Sequence, residues 1–231
     1  MGISAQADVM DRVAISSLTT PQGRTISFGD QFFKGSDLAS VDPITNLIMY
    51  SFPSAAVTAN EMVYIGRAHY TLNADASVIN RTFFQDIQTF AYLLGPSSRL
   101  ELKSSNPYRL ACSKFVTLGI SIESEQVIQV FESKELRADP VRAALVQQLN
   151  THPTLPTRVV LQSFSNFSDY FSLGVMLTMI YPDRPGQTSV DVVSVSLIHS
   201  VPLLIGRSFI RSTSKDDLFY YVDHLAYLER H

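Results

Sequence analysis

From residue 23 onward, the dominant period along the chain is two. In 61–72, EMVYIGRAHYTL, one side carries Met62, Tyr64, Gly66, Ala68, Tyr70 and Leu72, and the other Val63, Ile65, Arg67, His69 and Thr71. That alternation predicts a half-buried strand. Further β-branched or aromatic runs bounded by Pro, Gly, Asn or Ser predict strands at 44–52 (ITNLIMYSF), 98–103 (SRLELK), 115–122 (FVTLGISI), 126–132 (QVIQVFE) and 157–164 (TRVVLQSF). The stretch 170–181, YFSLGVMLTMIY, is apolar on both sides, as expected of a central strand covered above and below. Two prolines and a glycine in YPDRPGQ then turn the chain, and SVDVVSVSLIH (189–199) returns, which together predict an antiparallel hairpin.

Three segments switch to the helical period. In NRTFFQDIQTFAYLLGP (80–96), Phe83, Phe84, Ile87, Phe90, Ala91 and Leu94 form one wide apolar face, Thr82 with Gln85 a capping box, and Gly95-Pro96 the stop. In 138–150, Asp139 is the N-cap and Pro140 the first helical residue, with Val141, Leu145 and Leu149 on one stripe. The last, starting at Ser214 or Asp216, lines up Leu218, Tyr221, Val222, Leu225 and Leu228. An open apolar sheet face must be covered, and inserted amphipathic helices do so in α+β folds. The expected fold class is therefore α+β, an antiparallel β-sheet or β-sandwich core packed by about three amphipathic helices. Residues 1–22, Ser/Thr/Gln-rich and broken by Pro21, read as a flexible or subunit-docking arm, and 23–231 as a single β-rich globular domain.

Composition adds one feature. Charged residues are 17% of the chain, against about 25% in ordinary soluble domains, so fewer ionic side chains are available to cover the exterior. This favours self-association into a homo-oligomer, with Val9, Val13, Ile15 and Leu18 of the arm as the apolar contacts. The net charge of −3 supplies no global field for nucleic acid or anionic lipid. One cysteine, Cys112, excludes an internal disulfide and reads as a buried, inert thiol. No basic-then-apolar leader and no uninterrupted apolar run of about 18 residues is present, so neither secretion nor membrane spanning is expected.

Catalytic patterns are absent. His69, His152, His199, His224 and His231 fall in no ligand spacing, so no metal and no cofactor is expected. Nucleophile-elbow, phosphate-loop and dinucleotide fingerprints are missing too, which argues against an enzyme. The residual nucleophile and base pairing is Cys112 with His199 or His224. The strongest binding feature is 205–215, IGRSFIRSTSK: as a strand it projects Arg207, Phe209 and Arg211 from one face, with Lys215 just beyond. Two guanidiniums flanking a ring suit RNA or lipid phosphate, and a charged strand edge that prevents aggregation is the competing reading. Lys134, Arg137 and Arg142 read as helix-surface charge.

The order of elements resembles rhabdovirus matrix proteins. The likeness lies in AHYTLNADASVINRTFFQDI, in NPYRLACSKFVTLG, and in YFSLGVMLTMIYPDRP with LLIGRSFIRSTSKDDLFYYVDHL. It covers about half the chain as a pattern of residue types; the lysine-rich arm and proline-rich budding motifs of that family are missing. The resemblance implies a non-enzymatic viral structural protein that self-associates, bridges ribonucleoprotein to membrane and helps budding. Its implied partners are viral nucleoprotein or RNA and a peripheral membrane surface, with no small-molecule substrate, and its location the virion and host cell interior. A β-sandwich capsid or movement protein of a plant or insect virus, binding RNA, is the alternative.

Overall fold

The computed structural model describes residues 14–38, 42–55, 57–76, 98–105, 108–116, 120–165, 171–199 and 206–227. Its strands are β1 (Ile15–Thr19), β2 (Thr25–Lys34), β3 (Met62–Leu72), β4 (Ser98–Ser105), β5 (Tyr108–Val116), β6 (Ile120–Glu132), β7 (Arg158–Ser165), β8 (Phe171–Arg184) and β9 (Gln187–Ile198). All nine join one antiparallel sheet in the order β1-β2-β3-β9-β8-β7-β6-β5-β4. After β3 the chain crosses to the far edge, then returns strand by strand until β9 pairs with β3. The expected antiparallel α+β core is present as one continuous sheet rather than a sandwich, because each returning strand adds to the ladder of the one before it.

Five helical segments accompany the sheet among the described residues: α1 (Gly35–Leu38), α2 (Asp42–Ser51), α3 (Ser133–Ala138), α4 (Pro140–Leu149) and α5 (Arg207–Tyr227). The helix expected over 80–94 lies outside the described residues. In α4 the local signals hold: Asp139 caps it, its Oδ1 accepting from the backbone N–H groups of Val141 at 3.0 Å and Arg142 at 3.2 Å. Leu145, Val146 and Leu149 face inward, whereas Val141 is 64% exposed.

Three sequence expectations are corrected. Residues 44–52 are not a strand but lie mostly in α2; Ile44, Leu47 and Ile48 sit at helical spacing and are all buried, so the period outweighs the β-branched composition. The run 115–122 is divided between β5 and β6, which pair with each other. Residues 207–215 are helical, so the last helix starts at Arg207 rather than at Ser214 or Asp216. The β8–β9 hairpin forms as expected, turning at Pro185-Gly186 with Gly186 at φ 77.

Cross-strand partners point to the same side of a sheet, so the register defines two faces. On one, Val63, Ile65, Leu161, Leu177, Val193 and Val195 meet helices α1 to α4 through Leu38, Ile44, Leu47, Leu136, Leu145 and Leu149. On the other, Ala68, Tyr70, Val160, Ile180, Val190 and Val192 meet α5 through Leu218, Tyr221 and Val222. The strand β8, fifth of nine in the sheet, is covered on both sides as its two-sided apolar pattern predicts. Ile15 and Leu18 belong to the edge strand β1; Leu18 packs against the α5-side core while Ile15 is 57% exposed. Val9 and Val13 lie outside the described residues.

Candidate functional site

The path of α5 over the sheet creates the site. Near its start, Ile210 packs with Tyr64 of β3 and Ile198 of β9, and Arg211 Nε donates to Asp30 Oδ2 of β2 at 2.5 Å. Further along, the Tyr221 hydroxyl lies 2.7 Å from Thr178 Oγ1 of β8. Burial pushes the Tyr221 phenol well above its ordinary range, so it stays neutral in this contact. The helix therefore stays near β2 and β3 along its length, since Asp223 Oδ1 accepts from Thr20 Oγ1 at 2.9 Å, and the long Tyr221 side chain reaches across to β8. Beside its first half lies the corner of the same face that β6 to β9 form.

That corner has an unusual composition. One cross-strand row runs Gln126, Phe164, Gly174, Ser196 from β6 to β9, and the adjacent row Ile128, Gln162, Met176, Ser194. The rows span about 14 Å across four strands. In β3 they continue as Tyr64 and Gly66. The next rows toward Tyr221 carry Val160, Thr178 and Val192, then Ile180 and Val190, all fully buried. In the corner, by contrast, Phe164, Gly174, Met176, Ser194 and Ser196 are only half-buried, beside fully buried Gln126, Ile128 and Gln162. The Oε1 atoms of Gln126 and Gln162 have no hydrogen-bond partner among the described residues. Among a sheet's buried positions, two such amides are the exception that asks for a cause.

A second polar cluster sits on the opposite face, at the end of α4. Asp191, 2% exposed, holds His69 Nδ1 at 2.5 Å through Oδ1, and its Oδ2 accepts the Thr151 hydroxyl at 3.4 Å. Arg67 donates to that same hydroxyl oxygen. The hydrogen bond to Asp191 raises the His69 pKa, against the opposing effect of burial. Tyr181 donates to Asn150 Oδ1 at 2.7 Å and stacks on His152 with ring centroids 4.4 Å apart. At the other end of β3, His199 Nδ1 lies 2.7 Å from Glu61 Oε1. No group of three or more metal-ligating side chains occurs among the described residues.

The residues singled out for phosphate binding fall on α5, not on a strand. As helix positions, Arg207, Arg211 and Lys215 share a stripe, and Phe209 leaves the alternation that placed it between the two arginines. Arg207 and Arg211 each stand 5.5 Å from the Phe32 ring centroid, and Arg211 pairs with Asp30. Lys215 lies 5.7 Å from the Phe219 ring centroid. Cys112 is in β5, opposite Leu100 of β4. The corner of β6 to β9 carries no contiguous sequence signal; alternating small and polar residues in β8 and β9, with a lone Gln in each of two apolar runs, are its only traces.

No protein-family model and no curated protein matches the chain. Among solved structures, that of Ara h 8.0201 is similar over 73% of this chain and 99% of its own, at 11% identity and a TM-score of 0.50. A START superfamily protein from Mycobacterium smegmatis is similar over 70% of this chain and 94% of its own, at 11% identity and a TM-score of 0.45. Norcoclaurine synthase from Thalictrum flavum, solved in complex with dopamine and hydroxybenzaldehyde, covers 72% of this chain and 86% of its own, at 10% identity and a TM-score of 0.44. The likeness to Ara h 8.0201 shows the fold, an antiparallel α+β arrangement consistent with the START/Bet v 1-like type.

This overturns the matrix-protein resemblance and what it implied: a viral structural role, bridging of ribonucleoprotein to membrane, budding, viral nucleoprotein or RNA as partner, and a virion location. The capsid or movement-protein alternative falls with it. Aromatic strands, polar turns and covering helices recur in many antiparallel folds, so those residue types did not discriminate between them. The exclusion of a small-molecule substrate, which that resemblance implied, is overturned with it. No helix among the described residues is long and apolar enough to cross a membrane.

Proposed function

We propose that this chain is a non-enzymatic binding protein for a small, largely apolar molecule, held beside the first half of α5 against β6 to β9. The observation that carries the reading is the two-row corner. There Gly66, Gly174, Ser194 and Ser196 replace the Val, Ile and Tyr that fill the neighbouring rows, and half-buried surface remains on a face otherwise sealed by α5. Ser194 and Ser196 lower the floor of the sheet, the space over Gly66 and Gly174 being taken by Ser194, Tyr64 and Phe164, while Phe164 and Met176 supply apolar contact. A ligand covering about 300 Å² of apolar surface would gain roughly 7 kcal/mol at about 25 cal/mol per Å² before the costs of association. Micromolar affinity is the scale to expect after those costs. The fold likeness to Ara h 8.0201 supports the reading as architecture.

Binding requires no bond to be made or broken. His69 and His199 are occupied with Asp191 and Glu61. The test is titration with diphenylhexatriene, a neutral hydrocarbon that fluoresces in apolar surroundings. Saturable micromolar binding is expected, and Ser196→Phe, which fills the corner, is expected to weaken it at least tenfold while leaving the circular-dichroism melt intact. An unsaturable signal, or a folded Ser196→Phe protein that binds as well as the parent, removes the proposal.

A further inference from the structure

Resting on that reading, we infer that the bound molecule presents a neutral hydrogen-bond donor, a hydroxyl or N–H, to the side-chain carbonyls of Gln126 and Gln162. Both amides are almost wholly buried, at 2% and 1% exposure, and both Oε1 atoms are without a partner among the described residues. Leaving a buried acceptor unpaired costs about 1–3 kcal/mol. Nothing in the strands demands a polar residue there: Ile128 and Val160, next to them on the same face, are apolar and fully buried. Because Ile128 is the cross-strand partner of Gln162, Gln126 stands on the diagonal from it, roughly 7–8 Å away. Two acceptors at that spacing, on the floor of the two rows that keep open surface, can receive one donor-bearing head group.

Charge selects among head groups. The ionised pair on this face of β6 and β7 is Glu132 with Arg158 at 3.2 Å, and Glu132 also meets Lys134 at 3.4 Å. Arg158 lies four residues along β7 from Gln162, about 13 Å away. A carboxylate or phosphate placed at the two amides would find no adjacent counter-charge among the described side chains of β6 and β7, a costly burial. A hydroxyl or N–H attached to an apolar body satisfies the acceptors and leaves the rest of the molecule to Phe164, Met176 and the small residues.

The test competes decanol, decyl methyl ether and decanoate against diphenylhexatriene on the full chain. One neutral hydrogen bond is worth about 0.5–1.5 kcal/mol, so decanol should displace the probe up to about tenfold more tightly than its ether, although the ether is the more apolar of the two. Decanoate should be weaker than decanol. In Gln162→Leu or Gln126→Leu, or the closer isostere Gln162→Met should a leucine variant fail to fold, the ratio of alcohol to ether affinity, each read against that variant's own probe affinity, should fall to about one. Equal competition by alcohol and ether, stronger competition by decanoate, or a preference surviving loss of both amides would overturn the inference while leaving apolar binding in place. Failure of the parent protein to bind the probe would instead sink the underlying reading.

Discussion

Asp191 is the residue on which the outer-face polar cluster depends, since its two oxygens serve His69 and Thr151 from a position with almost no access to water. The groups bearing on His69 are Asp191 and Asp183, which raise its pKa, and Arg67, which lowers it. A histidine whose folded pKa is raised stabilises fully below its unfolded value of about 6.5 and loses that contribution as pH rises through the folded value. The urea midpoint should therefore fall as pH rises from 6 past neutrality, and fall less in His69→Asn; parallel profiles would refute the coupling. Asp191→Asn should cost about 2 kcal/mol, because the buried network loses the carboxylate charge and one of its two acceptor oxygens to an NH2 donor. No local pattern announces this pair, whose members are 122 residues apart. Gly35 is equally illegible: an added Cβ would collide with the Thr58 carbonyl oxygen, a contact set by a distant loop.

At the start of α4, where the signal is local, sequence and structure agree. Asp139 and Pro140 start α4 because an N-cap oxygen and a residue without N–H solve the unpaired-donor problem within a single turn. Asp139→Ala should lower stability by about 1 kcal/mol; an unchanged denaturation midpoint would show that the cap is redundant with the neighbouring helix α3. Errors came where composition and period disagree. Both α2 and the start of α5 are rich in Ile, Phe, Thr or Ser, which favour strands or turns, yet their buried residues follow the helical repeat. Propensity differences of a few tenths of a kcal/mol per residue yield to burial of one apolar face. For Arg207 and Arg211 the change from strand to helix replaces an imagined aromatic clamp with a stripe folded over Phe32 and tied to Asp30.

Across the whole molecule, one sheet separates two cores, with α1 to α4 on one side and α5 on the other. Val222, fully buried against the α5-side core, tests whether the two respond independently. Val222→Ala should cost about 2 kcal/mol, and amide hydrogen exchange should quicken in α5 well before α2 or α4. Equal loss of protection on both faces would show a single cooperative core instead. The binding corner exists only at this scale, since Gln126, Gln162, Gly174 and Ser196 come from four strands and meet because β6 to β9 are neighbours in the sheet.

The amino-acid order by itself determined most of the strands, the β8–β9 hairpin, the capped start of α4 and the two-sided covering of β8. These follow from periods and caps that a few consecutive residues satisfy among themselves. Tertiary structure decided the strand order that closes β9 onto β3, the placement of α5 on the face it covers and the buried amides of Gln126 and Gln162. Those depend on which distant segments share a ladder and how much of a face one helix can cover, and period along the chain is blind to both.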